Sequence, residues 1–441
     1  MTSDAPHLLP AMASTLPLDD TIRGVPPGTD AFDSSAVASR RWHPADGAMS
    51  LPVLTLDLGA FAANRDLFLR YAREHQAAIA PHAKTPMAPD LARSLVEAGA
   101  WGTTVADIRQ ASVMLRAGLD RLIVANEVGG SGGANRLARL VAAWPHAEFY
   151  VFADSVPAVA ALAEAWGRNP AIAPLGILVE TGAARAGART LAEAEAVADA
   201  VLAAGGRLSL AGVATYEGAA AQPDPRRSDD AVNGLLSLTG ELFGRVRARV
   251  GPEAPLILSA GGSVFFDHVV KKLGPLVAND PASTLVLRSG AIYFHDHGVY
   301  DRTLQTLDAR RGFELDGAQI SARSAFLPAL RVWAEILSRP EPGLAICGMG
   351  MRDVSFDQGF PPPLAVWRGG HRRAVADGSA KIVKLNDQHA FLSVEADHDI
   401  AVGDVIEFGI SHPCTCLDRY RVIFGLDATG HVSHAFPTFF G

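Results

Sequence analysis

The sequence predicts an α/β chain: a (β/α)8 barrel followed by a second, mostly β domain. Two observations carry this. From Leu51 onward, short apolar runs of strand type alternate with segments of helical spacing, eight times within about 210 residues, and such a barrel takes about 250 residues. After about residue 300 the rhythm changes to short, turn-rich segments at the spacing of an all-β domain. An open doubly wound sheet is the structural alternative, but it uses fewer units and carries a glycine-rich dinucleotide loop that has no counterpart here.

The elements follow in order. Residues 1 to 45 are mixed and Pro-containing, and read as an arm that docks on the β domain. Val53 to Asp57 is the first strand, and Phe61 to His75 a helix with apolar residues at Phe61, Leu67, Phe68 and Tyr71. Further strands are expected at Ala77–Ala80, Gly102–Val105, Leu122–Ala125, Phe149–Ala153, Pro174–Glu180, Leu208–Thr215 and Leu256–Ser259, with a helix after each of the first six. Residues 46–304 thus form the barrel and 305–441 the β domain. In the latter, Leu344–Met349, Ala380–Leu385, Ala390–Val394 and Asp404–Phe408 are strand candidates.

Composition narrows the function. With 49% hydrophobic and 20% charged residues, the chain is that of a folded protein. Its 39 basic and 47 acidic side chains give a net charge of −8, without the basic face of a nucleic-acid binder. Three cysteines are too few for a disulfide framework and point to a reducing, cytoplasmic setting. No signal peptide and no membrane span of about 20 apolar residues is read.

Barrel chemistry gathers at the C-terminal ends of the strands, and that rule selects the candidates. Lys84, in Pro81-His82-Ala83-Lys84-Thr85 after the second strand, points toward the barrel mouth, where partial desolvation suits a Schiff-base amine; a solvated loop lysine is the plainer alternative. After the sixth strand, Arg185 can hold a ring nitrogen or a carboxylate, or form a surface ion pair. Tyr216 after the seventh strand is either a cofactor contact or half-buried packing. The turn Ser259-Ala260-Gly261-Gly262-Ser263 runs into a helix and offers backbone N–H groups to an anion, unless it is only a tight turn. In the second domain, His412 and Cys414 sit two apart, and on an extended strand both reach one Zn²⁺; Cys416 shares that parity. The bland alternative is a strand with a buried cysteine and an exposed histidine. His295-Asp296-His297 is either a second metal cluster or a polar loop between the domains.

Together these segments resemble the fold-type III pyridoxal-phosphate enzymes, with their alanine-racemase-like barrel. Within them they are similar to the D-threonine aldolase and D-serine dehydratase group, including the D-serine deaminase-like proteins. Pro81-His82-Ala83-Lys84-Thr85, Leu91-Ala92-Arg93, Ala98-Gly99-Ala100 and Ala125-Asn126-Glu127 carry the strongest match, and the resemblance spans about residues 50 to 420. It implies that Lys84 holds pyridoxal 5'-phosphate covalently and that His82, Arg185 (near the pyridine nitrogen), Tyr216, Gly261, Gly262 and Ser263 contact the cofactor. It also implies that His412 and Cys414 hold the metal and that the chain is a homodimer. Three features depart from the common pattern: Pro86, where many relatives have His; the Ser-Ala-Gly-Gly-Ser turn; and the deaminase-like segment Gly348 to Asp357. A His-x-Cys pair favours Zn²⁺ and places a dehydratase of D-3-hydroxy amino acids first. Retro-aldol cleavage, racemisation and a non-catalytic carrier are the rivals.

Overall fold

The computed structural model describes residues 16–441. Residues 1–15, part of the expected arm, lie outside the described residues. From Val53 the main elements are β1 (Val53–Asp57), α1 (Leu58–Glu74), β2 (Ala77–Ile79), α2 (Pro89–Glu97), β3 (Thr103–Val105), α3 (Ile108–Arg116), β4 (Arg121–Val124), α4 (Ser131–Ala143), β5 (Glu148–Ala153) and α5 (Val156–Gly167). They continue with β6 (Leu175–Thr181), α6 (Leu191–Ala203), β7 (Leu208–Thr215), α7 (Pro225–Val250), β8 (Leu256–Ala260), α8 (Phe266–Ala278), β9 (Ser283–Leu287) and α9 (Val299–Ala309). Local chemistry sets the helix starts. Asp57 accepts from the Ala60 N–H to cap α1, Thr190 and Glu193 form a capping box on α6, and Asp224 with Pro225 opens α7.

Strands β2 to β9 form one all-parallel eight-stranded sheet in the order β2-β9-β8-β7-β6-β5-β4-β3. The sheet curls until its ends meet. The Trp101 N–H donates to the Ile79 carbonyl (2.7 Å), the Thr104 N–H to Pro81 (3.0 Å) and the Ala83 N–H to Thr104 (2.8 Å). Alternate side chains fill the interior with Ala80, Ile123, Phe152, Leu178, Ala211, Ala214, Ile257 and Val286. The opposite parity packs under the helices, as with Ile177 and Val179 of β6.

Two expectations need correction. Val53–Asp57 is not the first barrel strand: β1 pairs antiparallel with β10 (Leu330–Glu341) and parallel with β17 (Val422–Leu426) in the β domain. The eighth barrel strand is β9, whose register runs Leu256↔Ser283 to Ala260↔Leu287 on β8 and Leu285↔Ala77 on β2. The second domain is a mostly antiparallel sheet. It contains β10, β11 (Leu344–Cys347), β12 (Pro363–Arg368), β13 (His371–Ala374), β14 (Ala380–Leu385), β15 (Ala390–Val394) and β16 (Val405–Phe408). The short helix α10 (Pro413–Leu417), β17 and β18 (Val432–Pro437) complete it. The described part of the arm lies on this domain, where Leu18, Ile22, Val25, Val37 and Trp42 bury against Val53, Trp333, Phe424 and Val432.

Candidate active site

The C-terminal ends of the barrel strands open into a cavity of about 540 Å³, within the usual range for small-molecule sites. Its walls come from both domains: Lys84, Arg185, Tyr216 and Arg288 from the barrel, and His412 and Cys414 from the β domain. A second hollow, of about 560 Å³, lies between the arm and the β domain. Met49, Leu51, Leu337 and Trp367 line it, with Asp46 and Glu335 as its acids and no lysine, cysteine or histidine among the lining residues.

Lys84 follows the backbone bonds that close the barrel, so its position is set by the sheet. Its side chain reaches into the cavity. Burial lowers its pKa and the Arg185 and Arg288 charges lower it further, while Cys414 opposes them. Beside it, burial and the Lys84 and Arg288 charges hold His82 well below the usual imidazole range, so that ring is neutral.

Arg288, the residue after β9, forms the floor. It donates to Ser259 Oγ (2.6 Å) and the Thr215 carbonyl (2.7 Å), with its guanidinium 5.1 Å from the Phe152 ring centroid. Arg185 instead lies exposed at the rim, 4.6 Å from the Tyr216 ring centroid. Glu180, at the interior end of β6, is 3% exposed. Burial, with the hydrogen bond to Glu127 and the Glu127 charge, pushes its carboxyl up to about 9. The Gly261 and Gly262 amides donate to the two oxygens of Glu217 (3.0 and 2.7 Å). Ser263 meets the Tyr300 hydroxyl. Gly290 is required where it stands, because a Cβ would come 2.4 Å from the His82 carbonyl oxygen.

On the facing wall, His412 Nδ1 is 2.7 Å from Asp357 Oδ2, and Thr415 Oγ1 donates to Asp357 Oδ1 at 2.7 Å. The ring also bonds Cys414, and Cys414 Sγ lies 3.3 Å from Thr85 Oγ1. Burial disfavours the charged His412 ring, but the Cys414 and Asp357 bonds prevail and push it up to about 9. With the carboxylate on Nδ1, Nε2 is the nitrogen that would take a metal on loss of its proton, an arrangement common among metal-binding histidines. Among the described residues, no three or more His, Cys, Asp or Glu side chains converge as ligands. A metal held here would have two protein ligands, with positions left for water and substrate as in catalytic zinc sites.

Of the residues singled out in the sequence, His82, Lys84, Arg185, Tyr216, Gly262, Ser263, His412 and Cys414 line the cavity; Gly261 lies behind Gly262 and does not. Cys416 does not join them. Pro413–Leu417 is helical, so strand parity fails there, and Cys416 is fully buried, with burial first among the causes that push its thiol up to about 12. His295, Asp296 and His297 sit at the domain junction, where Asp296 Oδ1 accepts from the Gly298 and Tyr300 amides (2.7 and 2.9 Å) at the start of α9. Burial drives the His295 and His297 pKa values down to about 4 and 3, so both rings are neutral. Arg288, Gly290, Ala291, Tyr300 and Asp357 were missed. The first three follow β9, which the sequence signals only through the apolar run Leu285–Leu287.

Residues 56–264 match the alanine racemase N-terminal domain, and residues 329–426 a putative serine dehydratase domain. The chain thus pairs an alanine-racemase-type N-terminal domain with a serine-dehydratase-type domain, the combination implied by the resemblance to the fold-type III enzymes. It is 24% identical over 387 residues to a 3-hydroxy-D-aspartate aldolase of Paracoccus denitrificans, covering 85% of this chain and 89% of that protein. Among solved structures, the D-threonine aldolase of Filomicrobium marinum has a TM-score of 0.71 at 23% identity, over 89% of this chain and 95% of that one. The D-threo-3-hydroxyaspartate dehydratase of Delftia sp. HT23 has a TM-score of 0.64 at 20% identity, over 88% and 97%. These likenesses establish the fold. The relatives are named as aldolases and as a dehydratase.

Proposed function

We propose that this chain is a pyridoxal-phosphate- and zinc-dependent dehydratase of small D-3-hydroxy amino acids, releasing a 2-oxo acid and ammonia. The observation that carries this reading is one cavity with Lys84 on one side and the His412–Cys414 pair on the other, the two walls in contact through Thr85 and Cys414.

The residues fit both groups. A cavity amine with a lowered pKa suits a covalent hold on the cofactor aldehyde. Ser263 and the Gly290–Ala291 turn, after adjacent barrel strands, suit its phosphate. When bound, pyridoxal phosphate supplies an electron sink for charge at the substrate's α-carbon. A zinc ion on His412 and Cys414 supplies a Lewis acid for the 3-hydroxyl, and the thiolate favours zinc over magnesium or manganese. The remaining steps belong to the chain. Arg185, exposed at the rim, serves as the donor to the pyridine nitrogen or to the substrate carboxylate. The Lys84 amine takes the α-proton as general base. Asp357 fixes the orientation of the His412 ring through Nδ1. Loss of the 3-hydroxyl as water, followed by hydrolysis of the resulting enamine, gives the oxo acid and ammonia.

Retro-aldol cleavage is the second reading, favoured by the name of the Paracoccus relative. The reconstituted protein, given D-serine, D-threonine and the 3-hydroxyaspartate stereoisomers, decides between them. Ammonia with an oxo acid supports the dehydratase, while glycine with an aldehyde replaces it by the aldolase. Lys84→Ala should remove the covalent cofactor absorbance; its persistence refutes the assignment of Lys84.

A further inference from the structure

Glu217 has no part in the chemistry above, yet its carboxylate stands in the position expected of an anionic ligand. It follows β7, is fully buried, and takes the amide hydrogens of Gly261 and Gly262 on its two oxygens, at 3.0 and 2.7 Å. Those amides are the ones a glycine turn would offer to a phosphate. A phosphate approaching them meets a negative charge already in place.

The turn is tied from its other side as well. The Gly261 carbonyl accepts from the Arg288 amide (3.1 Å) and the Ser289 hydroxyl (2.9 Å). Gly261 has φ +89, and a Cβ there would meet Leu287 at 2.6 Å. Glu217 therefore joins the segment after β7 to the turn after β8, and Arg288 and Ser289 join that turn to the segment after β9. Ser263 is thereby fixed against Tyr300 at the cavity wall. Among the described residues, the amides of Ser263, Gly290 and Ala291 have no protein acceptor.

We propose that Glu217 is a positioning residue for the phosphate end of the cavity: it locks the Gly261–Gly262 turn, so that a phosphate is received by Ser263 and the Gly290–Ala291 amides rather than by the glycine pair. This rests on the pyridoxal-phosphate reading, and the test keeps the two apart.

The metal-free apoprotein is titrated with pyridoxal phosphate and with pyridoxal, which carries the same aldehyde without phosphate, and binding is followed by absorbance. Its melting is also recorded with and without inorganic phosphate. Wild type should prefer the phosphorylated aldehyde. Glu217→Gln keeps the size but sets an N–H against a glycine amide. It should lose about tenfold of that preference with pyridoxal binding unchanged, and should lose the stabilisation by inorganic phosphate. Equal weakening of both aldehydes indicates general damage and overturns the proposal. An unchanged preference overturns it too, as does a stronger one, in which the freed amides bind phosphate themselves. If Glu217→Gln does not fold, Ser263→Ala removes one proposed donor, the hydroxyl at the cavity wall, without altering the backbone. Loss of the preference is then expected, and its retention refutes the proposal. If wild type binds neither aldehyde, the cofactor reading fails. Phosphate-dependent melting of wild type and Glu217→Gln then decides the role of Glu217 alone.

Discussion

At the scale of single residues, the candidates found from sequence were those whose neighbours on the chain announce them. Lys84 and Arg185 follow clear strands, and His412 and Cys414 stand two apart. Those missed act across the chain: Asp357 reaches His412 from 55 residues away, and Glu217 grips a turn 44 residues on, distances that no local spacing encodes. Asp357→Asn should lower zinc affinity by about 10- to 100-fold, with the cofactor still bound, measured by competition with a chromophoric chelator. Unchanged affinity would remove Asp357 from the metal site. Glu180 gives a prediction on pH. Burial and the neighbouring Glu127 hold its pKa near 9, against an ordinary 4.5, with Arg288 and Arg185 opposing. Between these values the folded chain keeps a proton that the unfolded chain releases, so this group's contribution to stability falls as pH rises through the window. Urea midpoints of the apoprotein at pH 6 and pH 8 should converge in Glu180→Gln relative to wild type; an unaltered gap would show that Glu180 is not the titrating group.

At the scale of elements, the alternation of strand and helix was legible because buried parallel strands are continuous apolar runs between amphipathic helices. What the pattern could not say was which run pairs with which. β1 has the same apolar character as a barrel strand, and α1 follows it at once, so sequence order alone places it first in the barrel. Its partners, β10 and β17, lie more than 270 residues further on. Trp333 Nε1 donating to Thr55 Oγ1 at 2.8 Å marks the pairing. β9 signals itself only by the three-residue apolar run Leu285–Leu287 between Thr284 and Arg288. The arm completes the β-domain face: Trp42 stacks edge-on against Phe32 and Phe424, and its carbonyl accepts from the Val432 amide at 2.8 Å. Trp42→Ala leaves a large void between arm and sheet and should lower the unfolding free energy by about 3–5 kcal/mol, measured by urea denaturation. A loss within about 0.5 kcal/mol, as at an ordinary surface position, would mean that the arm is not docked in solution.

At the scale of the whole molecule, the site exists only because the two domains meet at the barrel mouth, and their joint passes beside the chemistry. The His297 amide donates to the Ile410 carbonyl (2.9 Å) and the Val299 amide to the Ser411 carbonyl (3.0 Å), directly before the His412–Cys414 pair. Gly298 permits this approach: a Cβ on it would lie 2.5 Å from the Ser411 carbonyl oxygen and 2.6 Å from the Ser411 Cα. Both are backbone atoms, so the clash cannot be relieved by turning a side chain, and the two segments must separate. Gly298→Ala therefore shifts His412 and Cys414 relative to Lys84 while leaving the barrel's own contacts to the cofactor in place. A displacement near 1 Å between reacting groups costs about a hundredfold in rate. The expected result is turnover reduced on that scale, zinc affinity weakened, and pyridoxal-phosphate affinity and absorbance kept. Cofactor binding lost together with turnover would show that the joint supports the barrel itself. Unaltered turnover would show that the facing walls need not be held in register, and the case for a reaction shared between Lys84 and a metal on the opposite domain would fall with it.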